Sequence, residues 1–295
     1  MISIIITAYK EPNTIGKAIE QVLKNKISDR FEIIISAPDK GTLDVARTYA
    51  KKNKRIKIIQ DFGKGKPTAL NLVFKKAKGE FLVLTDGDVF VDDNAIQPLL
   101  DALRVHKNSR IGAVTGRPIP QESREEKYCY WAHFLFNSAH KLRAEKANRS
   151  EFLFLSGYLF AMRNFKLQIP SDVLDDAYIS QVIWKKGYTI GYEPNAKVFI
   201  KNPANFSDWI KQKRRNLSGD IRIKEYLRTI QNSRSFKEEL SQFYRVFSFA
   251  KSIREIGYSF ELLFARLLIW WLGFYDIRIK KKALNKVWVR IESTK

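Results

Sequence analysis

The stretch FLVLTDGD, from Phe81 to Asp88, decides the fold class. It joins an apolar run, Phe81–Thr85, which is typical of a buried β-strand, to the acidic turn Asp86-Gly87-Asp88. Carboxylates at positions i and i+2 just beyond a strand can converge on one hard cation, so we expect Asp86 and Asp88 to bind Mg²⁺ or Mn²⁺. A D-x-D pattern alone is weak, because acidic residues are common in turns. The surrounding sequence therefore has to support it.

Upstream of this stretch the chain repeats the same kind of unit. Strand-like apolar runs at Ile2–Thr7, Glu32–Ser36 and Ile56–Gln60 are each followed by apolar residues at helical spacing. This alternation predicts βαβ units and hence a mostly parallel sheet with right-handed crossovers. Ligands bind such sheets at the carboxyl ends of the strands. The segments expected there are Thr7–Glu11, Ser36–Gly41, Asp61–Lys66 and Asp86–Asp88.

The segment Gly63-Lys64-Gly65-Lys66 precedes a predicted helix and suits a phosphate. Glycines let backbone N–H groups approach an anion, the helix N-terminus favours negative charge, and the two lysines add positive charge. Pro67 follows Lys66, so the segment does not match the P-loop pattern, which disfavours ATP hydrolysis. No G-x-G-x-x-G follows the first strand, which disfavours a dinucleotide-binding fold.

Composition narrows the function classes. The 295 residues carry 53 Lys and Arg against 31 Asp and Glu, a net charge of +22, which predicts anionic partners. From Lys201 to Lys295 there are 21 Lys and Arg against 9 Asp and Glu, a net of +12, so most of the excess lies in the last third. A lysine-rich thermophilic surface is the alternative explanation. The single cysteine excludes an internal disulfide framework, and the first residues show no signal peptide, which together favour a reducing compartment.

Two C-terminal segments are predicted to be amphipathic helices at a membrane interface. The first carries an apolar stripe between Phe236 and Ala250. The second, Ile256–Tyr275, is interrupted by Glu261 and Arg266, whereas a spanning helix needs about 20 apolar residues. A helical lid packed on the globular domain is the alternative. The residues expected at headgroup level are Trp270, Trp271 and Tyr275, and those expected on anionic phosphates are Lys280, Lys281 and Lys282.

Taken in order, these segments resemble family-2 inverting glycosyltransferases of the GT-A fold, over roughly residues 1–217. The matching elements are Ile2–Tyr9 with Glu11, Lys66–Asn71 (K-x-x-A-L-N), Asp86–Asp88 (D-x-D), Leu174–Asp176 (the family's E-D) and Gln212–Asn216 (Q-x-x-R-W). The resemblance implies an α/β fold with a mostly parallel nucleotide-binding sheet flanked by helices. It implies a catalytic domain at 1–217 and a basic helical region at 218–295.

The same resemblance implies a metal-dependent hexosyltransferase-type enzyme of the EC 2.4 class. A hydroxyl acceptor attacks the sugar of a nucleotide-diphosphate donor with inversion, and Asp176 acts as general base, with Asp175 beside it as a second catalytic residue. A general base contributes roughly 10² to 10⁴ in rate. Mn²⁺ or Mg²⁺ would be bound by Asp86 and Asp88. The implied donor contacts are Thr7, Tyr9, Glu11, Asp39, Lys66, Asn71, Asp86, Gln212 and Arg215, with Asp39 in place of the family's Asp pair after the second strand.

The last motif bears on the acceptor. Asn216 stands where the family motif has Trp, which disfavours a processive polymerase, whereas Gln212 and Arg215 favour a hydroxyl acceptor. We therefore predict a hydroxyl acceptor, on a lipid or a lipid-linked glycan. The aromatic, basic C-terminal region predicts a peripheral or monotopic protein on the cytoplasmic face of an anionic membrane. Alternatives are a polyprenyl-phosphate (dolichol-phosphate) sugar synthase, whose anionic acceptor needs no base, and a nucleotidyltransferase. Nucleic acid is not expected as a partner, because the aromatic residues lie in apolar stripes and do not alternate with basic ones.

Overall fold

The computed structural model describes residues 1–104, 110–227, 245–278 and Thr294. The chain divides into two compact units. The first comprises Met1–Ile119 and His140–Ile200, and the second comprises Pro120–Ala139 and Lys201–Lys295. These units group residues by contact, so the sequence-based division into 1–217 and 218–295 stays a prediction.

A mixed sheet forms the centre of the first unit. Its strand order is β3-β2-β1-β4-β7-β6-β8-β5. Strands β3, β2, β1 and β4 are parallel, whereas β7 pairs antiparallel with both β4 and β6, and β5 with β8. The α/β fold class is thereby confirmed, with its parallel strands in the N-terminal half. The strands are β1 (Ile2–Thr7), β2 (Phe31–Ala37), β3 (Ile56–Gln60), β4 (Phe81–Asp86), β5 (Phe90–Val91), β6 (Ile111–Pro120), β7 (Leu159–Arg163) and β8 (Thr189–Ile200).

Helices flank the strands and build most of the second unit. The helices up to residue 185 are α1 (Ile15–Lys24), α2 (Lys40–Lys52), α3 (Lys66–Lys76), α4 (Ile96–Arg104), α5 (Lys127–Asn148) and α6 (Asp175–Lys185). Those described after residue 200 are α7 (Phe206–Tyr226), α8 (Arg245–Phe249) and α9 (Ile253–Arg278).

Strand β1 lies at the centre of the parallel strands, and every residue from Ile2 to Thr7 is buried. A β-branched apolar run of this kind favours a strand covered on both faces. Its parallel register places Thr7 opposite Ser36 of β2 and opposite Asp86 of β4. The carboxyl ends of the three strands therefore meet at one edge, as the sequence predicts.

The second unit has an aromatic core of its own. Its buried residues are Tyr130, Trp131, Phe134, Trp209, Val246, Leu262, Ala265 and Ile269. Among the described residues, none of the helices combines the length with the apolar character that a membrane-spanning segment requires. The predicted stripe positions Phe236, Leu240 and Phe243, and the predicted phosphate contacts Lys280–Lys282, lie outside the described residues.

Candidate active site

The D-x-D turn is fixed to the turn that follows β1. Thr7 Oγ1 donates a hydrogen bond of 2.9 Å to Asp86 Oδ1, and the Gly87 N–H donates one of 2.9 Å to the Thr7 carbonyl. A Cβ at Gly87 would lie 2.6 Å from Glu11 Oε2 and 2.7 Å from the Ala8 Cβ, so this close approach requires glycine. The structure thus brings Thr7, Glu11 and Asp86 together.

Lys66 joins two carboxylates that are far apart in sequence. Its Nζ lies 2.7 Å from Asp86 Oδ1, at the end of β4, and 3.4 Å from Asp175 Oδ2, at the start of α6. Burial favours the neutral amine, but the carboxylates of Asp175 and Asp86 outweigh it and raise the pKa of Lys66 above its usual range. Lys66 therefore places a positive charge between the D-x-D turn and the E-D-like motif.

Asp175 and Asp176 differ in environment although they are adjacent. Asp175 is buried, and burial raises its pKa to about 6, although Lys66 opposes that shift. Its Oδ2 accepts no hydrogen bond from a described residue and lies 3.4 Å from the Lys66 ammonium. Asp176 is half-buried, and its carboxylate accepts hydrogen bonds from the Gly157 N–H at 3.1 Å and the Ala177 N–H at 2.8 Å. Asp176 is thus the more accessible carboxylate and is held in one orientation by the backbone.

Asn71 has a structural role that its motif does not reveal. Its carboxamide donates to the Ile169 carbonyl at 2.7 Å and accepts from the Ile169 N–H at 2.8 Å. Helix α3, which carries Lys66, is thereby tied to the segment that leads into α6. A contact between Asn71 and a donor stays a prediction, and the structure uses both its polar atoms elsewhere.

Asp39 holds two turns together at the same edge. It caps α2 by accepting from the Thr42 N–H at 2.9 Å, and its second oxygen accepts from the Lys10 N–H at 2.7 Å. Burial would raise the pKa of Asp39, but these hydrogen bonds outweigh it and lower that pKa. Glu11 is buried behind this turn and Tyr9 is exposed. Base contacts by Tyr9, Glu11 and Asp39 stay predictions.

The sequence analysis gave no individual role to Asp61 or Phe62, which lie just before the predicted phosphate segment Gly63–Lys66. Asp61 is buried and accepts from the Ser36 hydroxyl and from the Gly63 N–H, each at 2.9 Å. It thereby shapes the glycine-rich turn. Phe62 is 71% exposed at the same edge. Neither residue belongs to a periodic pattern, so only its place after a strand could have drawn attention to it.

Gln212 and Arg215 lie on α7 in the second compact unit. Both side chains are half-buried. Their predicted contacts with the diphosphate stay predictions.

The carboxylate oxygens at the D-x-D turn are ligands of the kind that a hard divalent cation prefers. Asp86 Oδ1 contacts Thr7 and Lys66, which leaves Oδ2 without a hydrogen bond among the described residues, and Asp88 contributes a second, half-buried carboxylate. No group of three or more His, Cys, Asp and Glu residues suited to a metal occurs in the described part of the chain. Mg²⁺ commonly takes only one or two carboxylates and completes its shell with waters and substrate phosphates. A metal here would therefore need the donor's phosphates.

Comparison with known proteins identifies the family. The family model described as glycosyl transferase family 2 matches residues 3–168, more than half of the chain. The chain belongs to glycosyl transferase family 2. The predicted family and the predicted class of enzyme, a transferase, are confirmed.

Curated relatives match part of their own length. A poly-beta-1,6-N-acetyl-D-glucosamine synthase from Staphylococcus epidermidis is 30% identical over 119 residues, covering 40% of this chain and 28% of that protein. A synthase of the same name from Staphylococcus aureus is 25% identical over 248 residues, covering 79% of this chain and 58% of that protein. The uncharacterized glycosyltransferase EpsJ of Bacillus subtilis is 30% identical over 115 residues, covering 38% of this chain and 33% of that protein. The chain thus spans less than two thirds of each of these relatives.

Solved structures confirm the GT-A fold. The mannosyltransferase PcManGT from Pyrobaculum calidifontis, solved with GDP-Man and Mn²⁺, superposes with a TM-score of 0.60 at 18% identity, covering 97% of this chain and 82% of that protein. GalNAc-T7, solved with UDP, GalNAc and Mn²⁺, gives a TM-score of 0.50 at 19% identity, covering 68% of this chain and 43% of that protein. At these identities the likeness extends to the fold alone.

Proposed function

We propose that this chain is a metal-dependent inverting glycosyltransferase that moves a sugar from a nucleotide-diphosphate donor to a hydroxyl acceptor. The observation that carries the proposal is the Lys66 ammonium between Asp86 and Asp175. It brings the proposed metal-binding turn and the proposed base motif into one cluster at the carboxyl edge of the parallel strands. That edge is where ligands bind in sheets of this kind.

The proposed base is Asp176. Its carboxylate is oriented by the Gly157 and Ala177 N–H groups and is more accessible than that of the buried Asp175. In the proposed reaction Asp176 accepts the proton of the acceptor hydroxyl while that oxygen bonds to the anomeric carbon and the nucleotide diphosphate leaves. The Lys66 ammonium neutralises the Asp175 carboxylate throughout, and this ion pair holds the start of α6 in place.

Donor binding is proposed at the turns that surround Lys66. The N-terminus of α3 and the glycine-rich turn, shaped by Asp61, suit the diphosphate, and Gln212 and Arg215 are proposed to contact it as well. Mn²⁺ or Mg²⁺ bound by Asp86 and Asp88 would neutralise charge on the leaving diphosphate. The structural neighbours solved with Mn²⁺ and with GDP-Man or UDP support the proposed binding of a nucleotide donor and the proposed divalent metal.

The proposed acceptor is a lipid or a lipid-linked glycan, on the cytoplasmic face of a membrane to which the protein binds peripherally. Relatives named as polysaccharide synthases support a glycan acceptor. The net charge of +12 in residues 201–295 supports an anionic surface as partner of the proposed region 218–295.

A donor panel tests the proposal. Thermal unfolding is recorded with UDP-, GDP- and dTDP-sugars in Mn²⁺, in Mg²⁺ and in EDTA. We expect one nucleotide sugar to raise the Tm in either metal and to lose most of that effect in EDTA, because in the proposed site the metal would link the donor's diphosphate to Asp86 and Asp88. Stabilisation of equal size in EDTA would contradict the metal dependence, and no stabilisation by any donor would contradict the proposed reaction.

A further inference from the structure

One face of α9 exposes large apolar side chains along most of the helix. Ile253 is 89% exposed, Phe264 is 68% exposed and Trp271 is 60% exposed, although all three side chains are large and apolar. We call the six exposed residues the α9 stripe. They are Ile253, Ile256, Phe260, Phe264, Leu267 and Trp271.

The α9 stripe is continuous and narrow. Its members follow one another at intervals of three or four residues. At about 100° per residue this spacing keeps all six within about 40° of one line along the helix, and at about 1.5 Å per residue they extend over about 27 Å. No charged residue falls inside the stripe. Scattered exposed apolar residues are ordinary, whereas a contiguous strip of this length indicates an interaction surface.

The opposite face of α9 is already used by the core of the second unit. Leu262, Ala265 and Ile269 are buried there. Ser259 Oγ lies 2.7 Å from the Tyr130 hydroxyl, which fixes the rotation of the helix about its axis. The α9 stripe therefore cannot turn inward without breaking this core.

The charges beside the α9 stripe favour an anionic partner. Glu255 pairs with Arg124 at 2.8 Å, and Glu261 pairs with Lys127 at 2.6 Å, so both acids are neutralised within the unit. The Arg254 guanidinium, by contrast, donates to the neutral Tyr258 hydroxyl and forms no ion pair with a described residue. The three basic residues Arg124, Lys127 and Arg254 against the two acidic residues Glu255 and Glu261 give this flank a net charge of +1.

We propose that the α9 stripe is the membrane-docking surface of this protein, lying parallel to an anionic bilayer with its apolar side chains at the boundary between headgroups and acyl chains. The inference rests on the proposed membrane location and adds the residues that enter the lipid. Trp271 stacks on Tyr275 with ring centroids 5.7 Å apart, which suits headgroup depth. Trp270 is half-buried and about 100° around the helix from Trp271, so it lies outside the stripe, and its place at headgroup level stays a prediction.

A lipid surface accounts for the charge better than a second copy of the chain does. Two copies pairing through this face would each present a flank of net positive charge and would offer each other no anionic partner, which does not favour association. Anionic headgroups instead attract each basic residue near the surface, an interaction that weakens with salt.

The test measures sedimentation of the full chain with vesicles of phosphatidylcholine and phosphatidylglycerol in equal parts, and with phosphatidylcholine alone. The stripe variant is Phe264→Gln with Trp271→Gln, because both side chains are exposed and outside the aromatic core. The matched control is Leu142→Gln, an exposed apolar residue on α5. Circular dichroism and donor-induced Tm shifts report on folding and on the transferase site separately.

We expect wild type and Leu142→Gln to bind the anionic vesicles in a salt-dependent manner, and the stripe variant to bind about tenfold more weakly. Equal binding by the stripe variant would overturn the inference and leave a membrane location intact. Wild type that does not bind, yet shows a donor-induced Tm shift, would overturn the membrane location without touching the transferase proposal. A dimer in light scattering that the stripe variant abolishes, with no vesicle binding, would assign the stripe to a second copy.

Discussion

Replacing Lys66 by Met tests the charge bridge at the centre of the site. Two carboxylates at 2.7 and 3.4 Å give gross Coulomb attractions of about 6 and 5 kcal/mol at an effective dielectric constant of about 20. The cost of burying the charges offsets most of this attraction, but removing one partner leaves the others uncompensated, which typically costs about 3–5 kcal/mol. The Lys66 side chain is 21% exposed, so we expect about 3 kcal/mol.

Equilibrium urea unfolding measures this loss. The matched control is Lys64→Met, an exposed lysine in the same turn, for which we expect a change within about 0.5 kcal/mol. In a double-mutant cycle with Asp175→Asn, the two losses should be non-additive by at least about 1 kcal/mol, because the residues are in contact. If Lys66→Met unfolds at the same urea concentration as Lys64→Met, the ammonium does not stabilise this cluster and the reasoning is refuted.

Two further predictions concern the orientation of the proposed base and a buried carboxylate at the amino end of β2. A Cβ at Gly157 would lie 3.1 Å from Asp176 Oδ2, so Gly157→Ala should displace this carboxylate and lower kcat about tenfold. Donor affinity, measured by calorimetry, should stay unchanged. An unchanged kcat would contradict the role of the hydrogen bond from Gly157 to Asp176. Burial would raise the pKa of Glu32, but hydrogen bonds from Lys57, Lys78 N–H and Ser3 outweigh it and lower that pKa below 4.5. Its stabilisation is therefore present above pH 4.5 and lost as the pH falls through the lowered value. Glu32→Gln should cost about 1.5 kcal/mol at pH 7 in urea unfolding, and this cost should shrink steadily as the pH is lowered below 4.5; a loss that does not change with pH would contradict this.

The parallel half of the sheet was predictable because its signals are local. Ile2–Thr7 and Phe81–Thr85 are buried, mostly apolar runs that are long enough to be predicted as strands. The place of Thr7 and Asp86 at the carboxyl ends of these strands was therefore predictable as well. The antiparallel pairing of β7 with β4 was not predicted, because Leu159–Arg163 carries no sign of which strand it joins. Pairing between distant segments is decided by tertiary packing.

The sequence predicted which residues belong to the candidate site, but it did not predict which residues they contact within the protein. Lys66 was expected on phosphate, whereas the structure places its ammonium between Asp86 and Asp175, a choice that depends on where α6 begins. Asn71 bonds to Ile169, 98 residues away, which no local motif encodes. Helix α9 is apolar on two faces, so periodicity could not tell its core face from its exposed stripe.

The most direct test of the account compares Asp176→Asn with Asp172→Asn, an acid four residues earlier in the same segment. Donor affinity is measured by calorimetry in Mn²⁺, and sugar transfer is measured on the same preparations with the donor identified from the panel. The account predicts that Asp176→Asn keeps the affinity of wild type and loses at least about 10²-fold in turnover, while Asp172→Asn retains both. Turnover at the wild-type rate in Asp176→Asn would contradict a general base at this position and favour a polyprenyl-phosphate acceptor, which needs none.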